Sequence, residues 1–181
     1  MHAAARCLSG GPINITDVPG KHDKYLIDQM TAPTRGCVLH ILRPETLGRS
    51  LEAYSRPERH RFLRIGSAHK GSSMLGVFNI GNKRRMELVS ASSFQAHVAG
   101  DGSWILRSHV ADTTHALPDR DAFASIVLAP EEYDILTAFP IETQASFRFV
   151  TIGLLGKMTG VAALLDAPSA AIIEHGVLSI S

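Results

Sequence analysis

The sequence predicts an α/β region followed by an all-β region. Its 181 residues have room for one ordinary domain, or for one domain and part of another. Apolar residues make up 45% of the chain and charged residues only 19%, so the chain can bury a core and is not expected to be disordered. Two different patterns, one before and one after Pro44, carry the prediction.

Before Pro44, helical and strand-like segments alternate. In chain order, the pattern predicts a helix over residues 2–8, a strand over 13–16, a helix over 22–30, a loop over 31–36 and a strand over 38–42. The first helix is rich in alanine and ends at Gly10, and apolar residues recur at helical spacing in the second. The last segment is almost entirely apolar, as in a strand buried on both faces. Alternation of this kind is typical of α/β proteins.

After Pro44, short β-rich runs alternate with clusters of turn residues. Strands are predicted over residues 62–65, 74–80, 104–109, 124–128 and 147–155. The clusters between them contain glycine, proline, asparagine and aspartate, and such spacing is typical of an antiparallel β-sandwich. The change of pattern predicts two regions, residues 1–50 and residues 51–181.

The composition argues against several classes of function. A formal net charge of +1 provides no general attraction to nucleic acid or to an acidic membrane. No apolar run approaches the roughly 20 residues of a membrane span, and residues 1–8 carry no readable secretion signal, which together predict a cytoplasmic protein. The histidines and cysteines lack metal-binding spacing, so no metal site is expected. Cys7 and Cys37 are predicted to be buried thiols.

The segment from Gly10 to Asp23 contains the strongest candidate for a catalytic residue. A turn of small residues leads into a short β-branched strand that ends at Asp17, just before Pro19-Gly20. In parallel sheets and barrels, the carboxyl ends of the strands carry the catalytic side chains. On its position alone, however, Asp17 is more readily explained as a turn residue or as a helix N-cap.

The sequence Gly10-Gly11-Pro12-Ile13-Asn14-Ile15-Thr16-Asp17 resembles a segment of the raffinose synthase and seed-imbibition-type α-galactosidases of glycoside hydrolase family 36. In that family the segment carries the general acid/base aspartate. Four further motifs resemble the family and follow in its order, at residues 38–44, 75–79, 133–140 and 154–160. Asn14 departs from the pattern, because the family usually has an aromatic residue there.

The resemblance implies that residues 1–50 are the C-terminal remnant of a TIM (β/α)8 barrel and that residues 51–181 form a β-sandwich. It also implies that Asp17 is the general acid/base and that the reaction uses no metal or organic cofactor. His22 and Arg43 are candidate substrate-binding residues, because His22 lies in the loop after Asp17 and Arg43 ends the next strand. A surface histidine at the start of a helix and a structural ion pair explain these two residues equally well.

Retaining cleavage of a glycoside requires two carboxyl groups about 5–5.5 Å apart, one as nucleophile and one as acid/base. No segment of this sequence resembles the Lys-x-Asp motif that carries the family's nucleophile. We therefore expect the C-terminal part of a retaining α-galactosidase or galactosyltransferase that acts on α-galactoside oligosaccharides. The alternative is a non-catalytic β-sandwich that binds a sugar or a partner.

Overall fold

The computed structural model describes residues 1–10, 12–33, 39–41, 45–49, 61–69, 71–94, 102–144, 147–164, 171–174 and 177–180. The helices are α1 (His2–Ser9), α2 (Lys24–Met30) and two short 3-10 helices, Ala91–Ser93 and Gly160–Ala163. The strands are β1 (Thr31–Pro33), β2 (Leu39–Ile41), β3 (Glu45–Arg49), β4 (Leu63–His69), β5 (Ser72–Phe78), β6 (Arg85–Ser90), β7 (Trp104–Ser108), β8 (Thr114–Leu117), β9 (Phe123–Leu128), β10 (Tyr133–Pro140), β11 (Glu142–Gln144), β12 (Phe147–Phe149), β13 (Ala171–Glu174) and β14 (Val177–Ile180). Neither α1 nor α2 is long and apolar enough to cross a bilayer, and no other described helix is either.

The largest sheet has six strands in the order β3-β4-β5-β10-β7-β8, so β5 and β10 lie at its centre. Strands β1–β2, β6–β9, β11–β12 and β13–β14 form separate two-stranded ribbons. Every pairing among the described strands is antiparallel. The expectation of antiparallel β-structure after Pro44 is therefore confirmed for the part of the chain that the structure describes.

Both faces of the six-stranded sheet are buried. One face packs against the β6–β9 ribbon, and Trp104 and Leu136 lie in the core between them. The other face packs against α1 and α2 through a second core that contains Leu8, Met30 and Phe78. Since each layer buries its apolar side against the sheet, helices, sheet and ribbon form three layers.

Strand β5 is buried along its whole length because it has a layer on each side. Leu75 and Val77 belong to the core under the ribbon, whereas Met74 and Phe78 belong to the core under the helices, as the alternation of a strand requires. Gly76 shares the helix-facing side. A Cβ at this position would lie 2.8 Å from Phe78 Cε2 and closer still to Leu8 Cδ1. Glycine therefore allows α1 to approach the centre of the sheet.

Asn79 follows β5, and its buried side chain makes hydrogen bonds through both its nitrogen and its oxygen. Its Nδ2 donates to the carbonyl oxygens of Leu128 at 3.0 Å and Lys83 at 2.8 Å, and its Oδ1 accepts from the Gly81 N–H at 3.1 Å. Because an unsatisfied buried amide is costly, these bonds fix the ends of β5 and β9 relative to each other.

Two expectations for the first 50 residues are corrected by the structure. The helix over 2–8 is confirmed as α1, but residues 13–16 form an irregular segment and not a strand. A strand needs hydrogen-bonding neighbours, and none of the described strands pairs with this segment. The loop expected over 31–36 begins with β1, which pairs antiparallel with β2.

Strand β3 lies before residue 50 and still joins the six-stranded sheet, so the sheet begins earlier than the sequence predicts. The division into residues 1–50 and 51–181 otherwise stays a prediction. Cys7 on α1 is buried as expected, and burial raises the pKa of its thiol to about 11. Cys37 lies outside the described residues.

Strand β6 is not among the strands predicted from the sequence, because its apolar side chains face solvent and a charged side chain faces the sheet. Met86 and Leu88 are exposed, whereas Glu87 is half-buried against the sheet. Glu87 accepts hydrogen bonds from the Phe62 N–H and from Arg64 Nη2, which joins the ribbon to the sheet beside β4. Of the strand predicted over 147–155, only the first part exists, as β12.

Replacing Gly76 with alanine is expected to destabilise the protein by about 1–3 kcal/mol, the usual cost of overpacking a core. The added methyl group would have to displace Leu8 or Phe78, and both side chains are fully buried. Urea unfolding measures the loss. Gly102→Ala is the matched control, because a Cβ at Gly102 meets nothing within 4 Å. An unchanged free energy of unfolding in Gly76→Ala would show that α1 does not need this close approach.

Candidate active site

A cleft of about 400 Å³ lies between α1, the segment over residues 12–17 and α2. Arg6 from α1, Asp17 from the segment and Asp23 at the start of α2 line it. Apolar side chains of α2 form the wall between the cleft and the helix-facing core. The position of α2 therefore sets the shape of the cleft.

A tight turn brings Asp17 and His22 together. The Lys21 N–H donates to the Val18 carbonyl oxygen at 2.9 Å, and Gly20 has a φ of 83°, as a type II turn favours at its third position. The turn reverses the chain so that His22 Nδ1 lies 3.7 Å from Asp17 Oδ2. The side chains are 47% exposed for Asp17 and 40% for His22, so a solute can reach both.

The N-cap of α2 is Asp23 and not Asp17. The Asp23 Oδ1 accepts from the Leu26 N–H at 2.9 Å, and its carbonyl oxygen accepts from the Ile27 N–H at 3.0 Å. These bonds explain why α2 begins at Lys24, two positions after the predicted start. Within the described residues the Asp17 carboxylate caps no helix, which leaves it available to a ligand.

The structure brings Asp17 and His22 together, whereas Arg43 lies outside the described residues. It adds Arg6 and Asn14 to the same cleft, and neither was a candidate from sequence. Arg6 lies on the side of α1 away from its buried residues, so in the sequence it has the pattern of an ordinary solvated residue. Only the packing of α1 beside the segment over 12–17 reveals its place.

These side chains can bind a polyhydroxylated ligand and move a proton. The carboxylate of Asp17 accepts hydrogen bonds when ionised and donates one when protonated, and the guanidinium of Arg6 only donates. The amide of Asn14 does both. No group of three His, Cys, Asp or Glu side chains that could hold a metal ion occurs in the described part of the chain.

Residues 1–89 match the family model described as raffinose synthase or seed imbibition protein Sip1. This match includes every residue that lines the cleft. Residues 1–89 are therefore similar to the raffinose synthase family. The resemblance found in the sequence is thereby confirmed for the raffinose synthase type.

Two plant relatives are much longer than the stretch that matches this chain. Probable galactinol–sucrose galactosyltransferase 5 of Arabidopsis thaliana is 37% identical over 80 residues, which are 44% of this chain and 9% of that protein. Probable galactinol–sucrose galactosyltransferase 1 of the same plant is 25% identical over 192 residues, which are 91% of this chain and 25% of that protein. The chain thus spans between 9% and 25% of the length of these relatives.

A solved structure shares the fold. A candidate α-N-acetylgalactosaminidase from Bacillus halodurans C-125 superposes with a TM-score of 0.51 on 77% of this chain and 31% of its own. The two sequences are only 11% identical, so the likeness concerns the fold alone.

Asp134 is a buried carboxylate that has a structural explanation. Its Oδ1 accepts from the backbone N–H groups of Val110 at 3.0 Å and Ile135 at 2.7 Å, and its Oδ2 accepts from the Ser108 hydroxyl. These three donors satisfy the carboxylate and hold the turn between β7 and β8. Asp134 is therefore not a candidate acid/base.

His109 in that turn contacts α2 from outside the cleft. Its Nε2 lies 3.0 Å from Gln29 Oε1, so the neutral ring donates a hydrogen bond to the last turn of the helix. Burial lowers the pKa of His109 below its ordinary value. The Asp134 and Asp112 carboxylates oppose this shift and Arg107 adds to it.

The stability of the chain is expected to fall on acidification through His109. Because the folded state takes up the proton at a lower pH than the unfolded state, the loss begins near the ordinary value of about 6.5. It is complete below the lowered pKa of the folded state. Urea midpoints measured from about pH 8 to about pH 5 should therefore decline less in His109→Gln than in the wild type.

The exposed His115 provides the control, and His115→Gln should keep the wild-type pH dependence. If His109→Gln and the wild type decline equally, His109 is not a source of the acid sensitivity.

Proposed function

We propose that the chain is the C-terminal part of a retaining α-galactosidase or raffinose-synthase-like galactosyltransferase that acts on α-galactosides. In this proposal Asp17 is the general acid/base. The observation that carries it is the available Asp17 carboxylate in an open cleft, within the residues that match the raffinose synthase family. Relatives named as galactinol–sucrose galactosyltransferases support the class of substrate.

The finer architecture is part of the same proposal. Residues 1–50, apart from β3, would be the last elements of a (β/α)8 barrel of glycoside hydrolase family 36, and β3 with the later strands would form its C-terminal β-sandwich. The six-stranded sheet packed against the β6–β9 ribbon supports the second part. The cleft beside α1 and α2 would then be one side of a larger active site.

The reaction follows the double displacement of retaining glycosidases. Protonated Asp17 gives its proton to the glycosidic oxygen while a second carboxylate attacks the anomeric carbon. The glycosidic C–O bond breaks, the rest of the substrate leaves as an alcohol, and a galactosyl-enzyme ester remains. Ionised Asp17 then takes a proton from water or from a sugar hydroxyl, which attacks the same carbon and releases the second carboxylate. Water gives hydrolysis, and a sugar hydroxyl gives galactosyl transfer.

We assign the nucleophile to a residue outside this chain. Besides Asp17, the carboxylate that lines the cleft is Asp23, and its Oδ1 is bonded to the Leu26 N–H as the N-cap of α2. His22, whose Nδ1 lies 3.7 Å from Asp17 Oδ2, would hydrogen-bond a sugar hydroxyl, and Arg6 and Asn14 would donate hydrogen bonds to other hydroxyl groups. Asn14 would bind the sugar through hydrogen bonds, whereas the aromatic residue usual in the family at this position would pack against the sugar.

Binding without turnover is the second candidate function of the isolated chain. The single available carboxylate in the described cleft favours it, because double displacement requires two. The same cleft would then hold an α-galactoside without cleaving it.

In the complete protein, Asp17→Ala is expected to lower kcat/KM for raffinose-type sugars by about a hundredfold to ten-thousandfold, the usual contribution of a general acid. Aryl α-galactosides should lose much less in the first step, because a phenolate leaves without protonation. Azide should partly restore turnover and yield a galactosyl azide, since it needs no base. Asp121→Ala, at an exposed aspartate in the turn before β9, is the control. Equal losses on both substrates without an azide product would contradict the role of Asp17.

The isolated 181-residue chain is expected to release no more phenolate from an aryl α-galactoside than buffer does. Without a nucleophile no covalent intermediate forms, and loss of a nucleophile costs many powers of ten in rate. Turnover by the chain that Asp17→Asn abolishes would show that a second carboxylate of this chain serves as nucleophile.

A further inference from the structure

We propose that Lys157, in the loop after β12, is a positioning residue for the candidate active site. It holds the C-terminal end of α2, and α2 in turn forms one wall of the cleft that contains Asp17. The catalytic consequence rests on the proposed function, whereas the structural part stands without it.

The contact joins residues 129 positions apart in the sequence. Lys157 Nζ donates to the Asp28 carbonyl oxygen at 2.6 Å and to Asp28 Oδ1 at 2.9 Å. The next residue, Met158, donates its backbone N–H to the Gln29 carbonyl oxygen at 2.9 Å. Two neighbouring carbonyl groups in the last turn of α2 therefore receive a donor from one loop, in the case of Asp28 in addition to the Thr31 backbone N–H.

The C-terminal end of a helix needs such donors, because its last carbonyl groups have no partner within the helix and carry a partial negative charge. The last turn of α2 contains no basic residue of its own. Lys157 provides the missing positive charge from elsewhere in the chain. Its side chain is 13% exposed, whereas that of Asp28 is 69% exposed, so the ammonium group is the enclosed member of the pair.

The loop that carries Lys157 is itself fixed. Gly153 and Gly156 have positive φ values of 81° and 71°, and the Leu154 N–H donates to the Gly160 carbonyl oxygen at 3.2 Å across the loop. A Cβ at Gly153 would lie 2.7 Å from that oxygen, so the loop closes more tightly than a side chain there permits. Met158 anchors it in the helix-facing core, where it is fully buried.

The effect on the site follows from the length of α2. A helix of seven residues is not stable by itself in water, so its position depends on contacts at its two ends. At its start, Asp23 caps the helix and lies in the cleft beside Asp17. At its end lie Lys157 and Met158, supported by the bond from His109 to Gln29. Loosening that end lets the whole cleft wall move.

A plain surface ion pair is the competing explanation, and such pairs contribute little. An experiment can distinguish the ion pair from the helix-end contact, because Lys157 also donates to the Asp28 backbone carbonyl, which no substitution of Asp28 removes. Asp28→Asn should therefore change little if Lys157 acts mainly on the helix end. Lys157→Met keeps the length of the side chain and removes all donors.

Hydrogen exchange in the 181-residue chain tests the structural part. Lys157→Met should speed amide exchange in α2 about tenfold and shift the backbone NMR signals of Asp17 and His22. Exchange in β5 and β10 should not change. Lys157→Arg should restore the wild-type values, and Lys83→Met, at an exposed lysine in the loop before β6, should leave them unchanged.

Unchanged exchange in α2 would overturn the inference. So would a rise shared equally by β5, which would mean general destabilisation, or an effect of Asp28→Asn as large as that of Lys157→Met.

In the complete protein, Lys157→Met should lower kcat/KM for an α-galactoside about tenfold, chiefly through KM, with recovery in Lys157→Arg.

Asp17→Asn distinguishes the proposed function from the inference about Lys157. If Asp17→Asn leaves activity intact, the proposed function fails, and the exchange data alone then decide the role of Lys157. If Asp17→Asn abolishes activity while Lys157→Met leaves KM and α2 exchange unchanged, the inference fails and the proposed function stands.

Discussion

The close approach of Leu8 to Gly76 is the contact on which the candidate site depends. It brings α1 against the centre of the six-stranded sheet, at the strand that is buried on both faces. Packing free energy, and not intrinsic helix propensity, keeps a helix of eight residues in place. Once α1 is fixed, its other side becomes a wall of the cleft and places Arg6 in the same cleft as Asp17.

Four polar residues discussed above fall into a buried pair and an exposed pair. Asn79 and Asp134 are buried, and each has hydrogen-bond partners on the backbone that explain its presence. Asp17 and His22 are exposed, face each other across a turn and cap nothing in the described structure. Because buried polar groups are retained for the bonds they make, the exposed pair is the one that calls for a functional explanation.

Sequence patterns correctly predict the helices and strands that bury a regular apolar side. They do not predict a strand whose apolar side chains face solvent, or contacts between residues far apart in the sequence. Helix α1 and strand β7 follow their apolar spacing closely. Strand β6 does not, because it exposes Met86 and turns Glu87 toward the sheet. Asp17, in the cleft, and His22 beside it are joined by a local Pro-Gly turn that can be read from the sequence. Arg6 and Lys157 reach their places only through tertiary packing, which no local pattern encodes.

The exposure of the cleft to solvent affects whether water or an acceptor sugar attacks the proposed galactosyl-enzyme intermediate. Asp17, as the base of the second step, would activate whichever hydroxyl group lies beside it. With nearly half of its side chain exposed, water reaches it freely in the described structure. Transfer then requires that the acceptor sugar itself displace that water and present a hydroxyl group at hydrogen-bonding distance. Polar side chains such as Arg6 and Asn14, which line the same cleft, would supply the hydrogen bonds that such an acceptor needs.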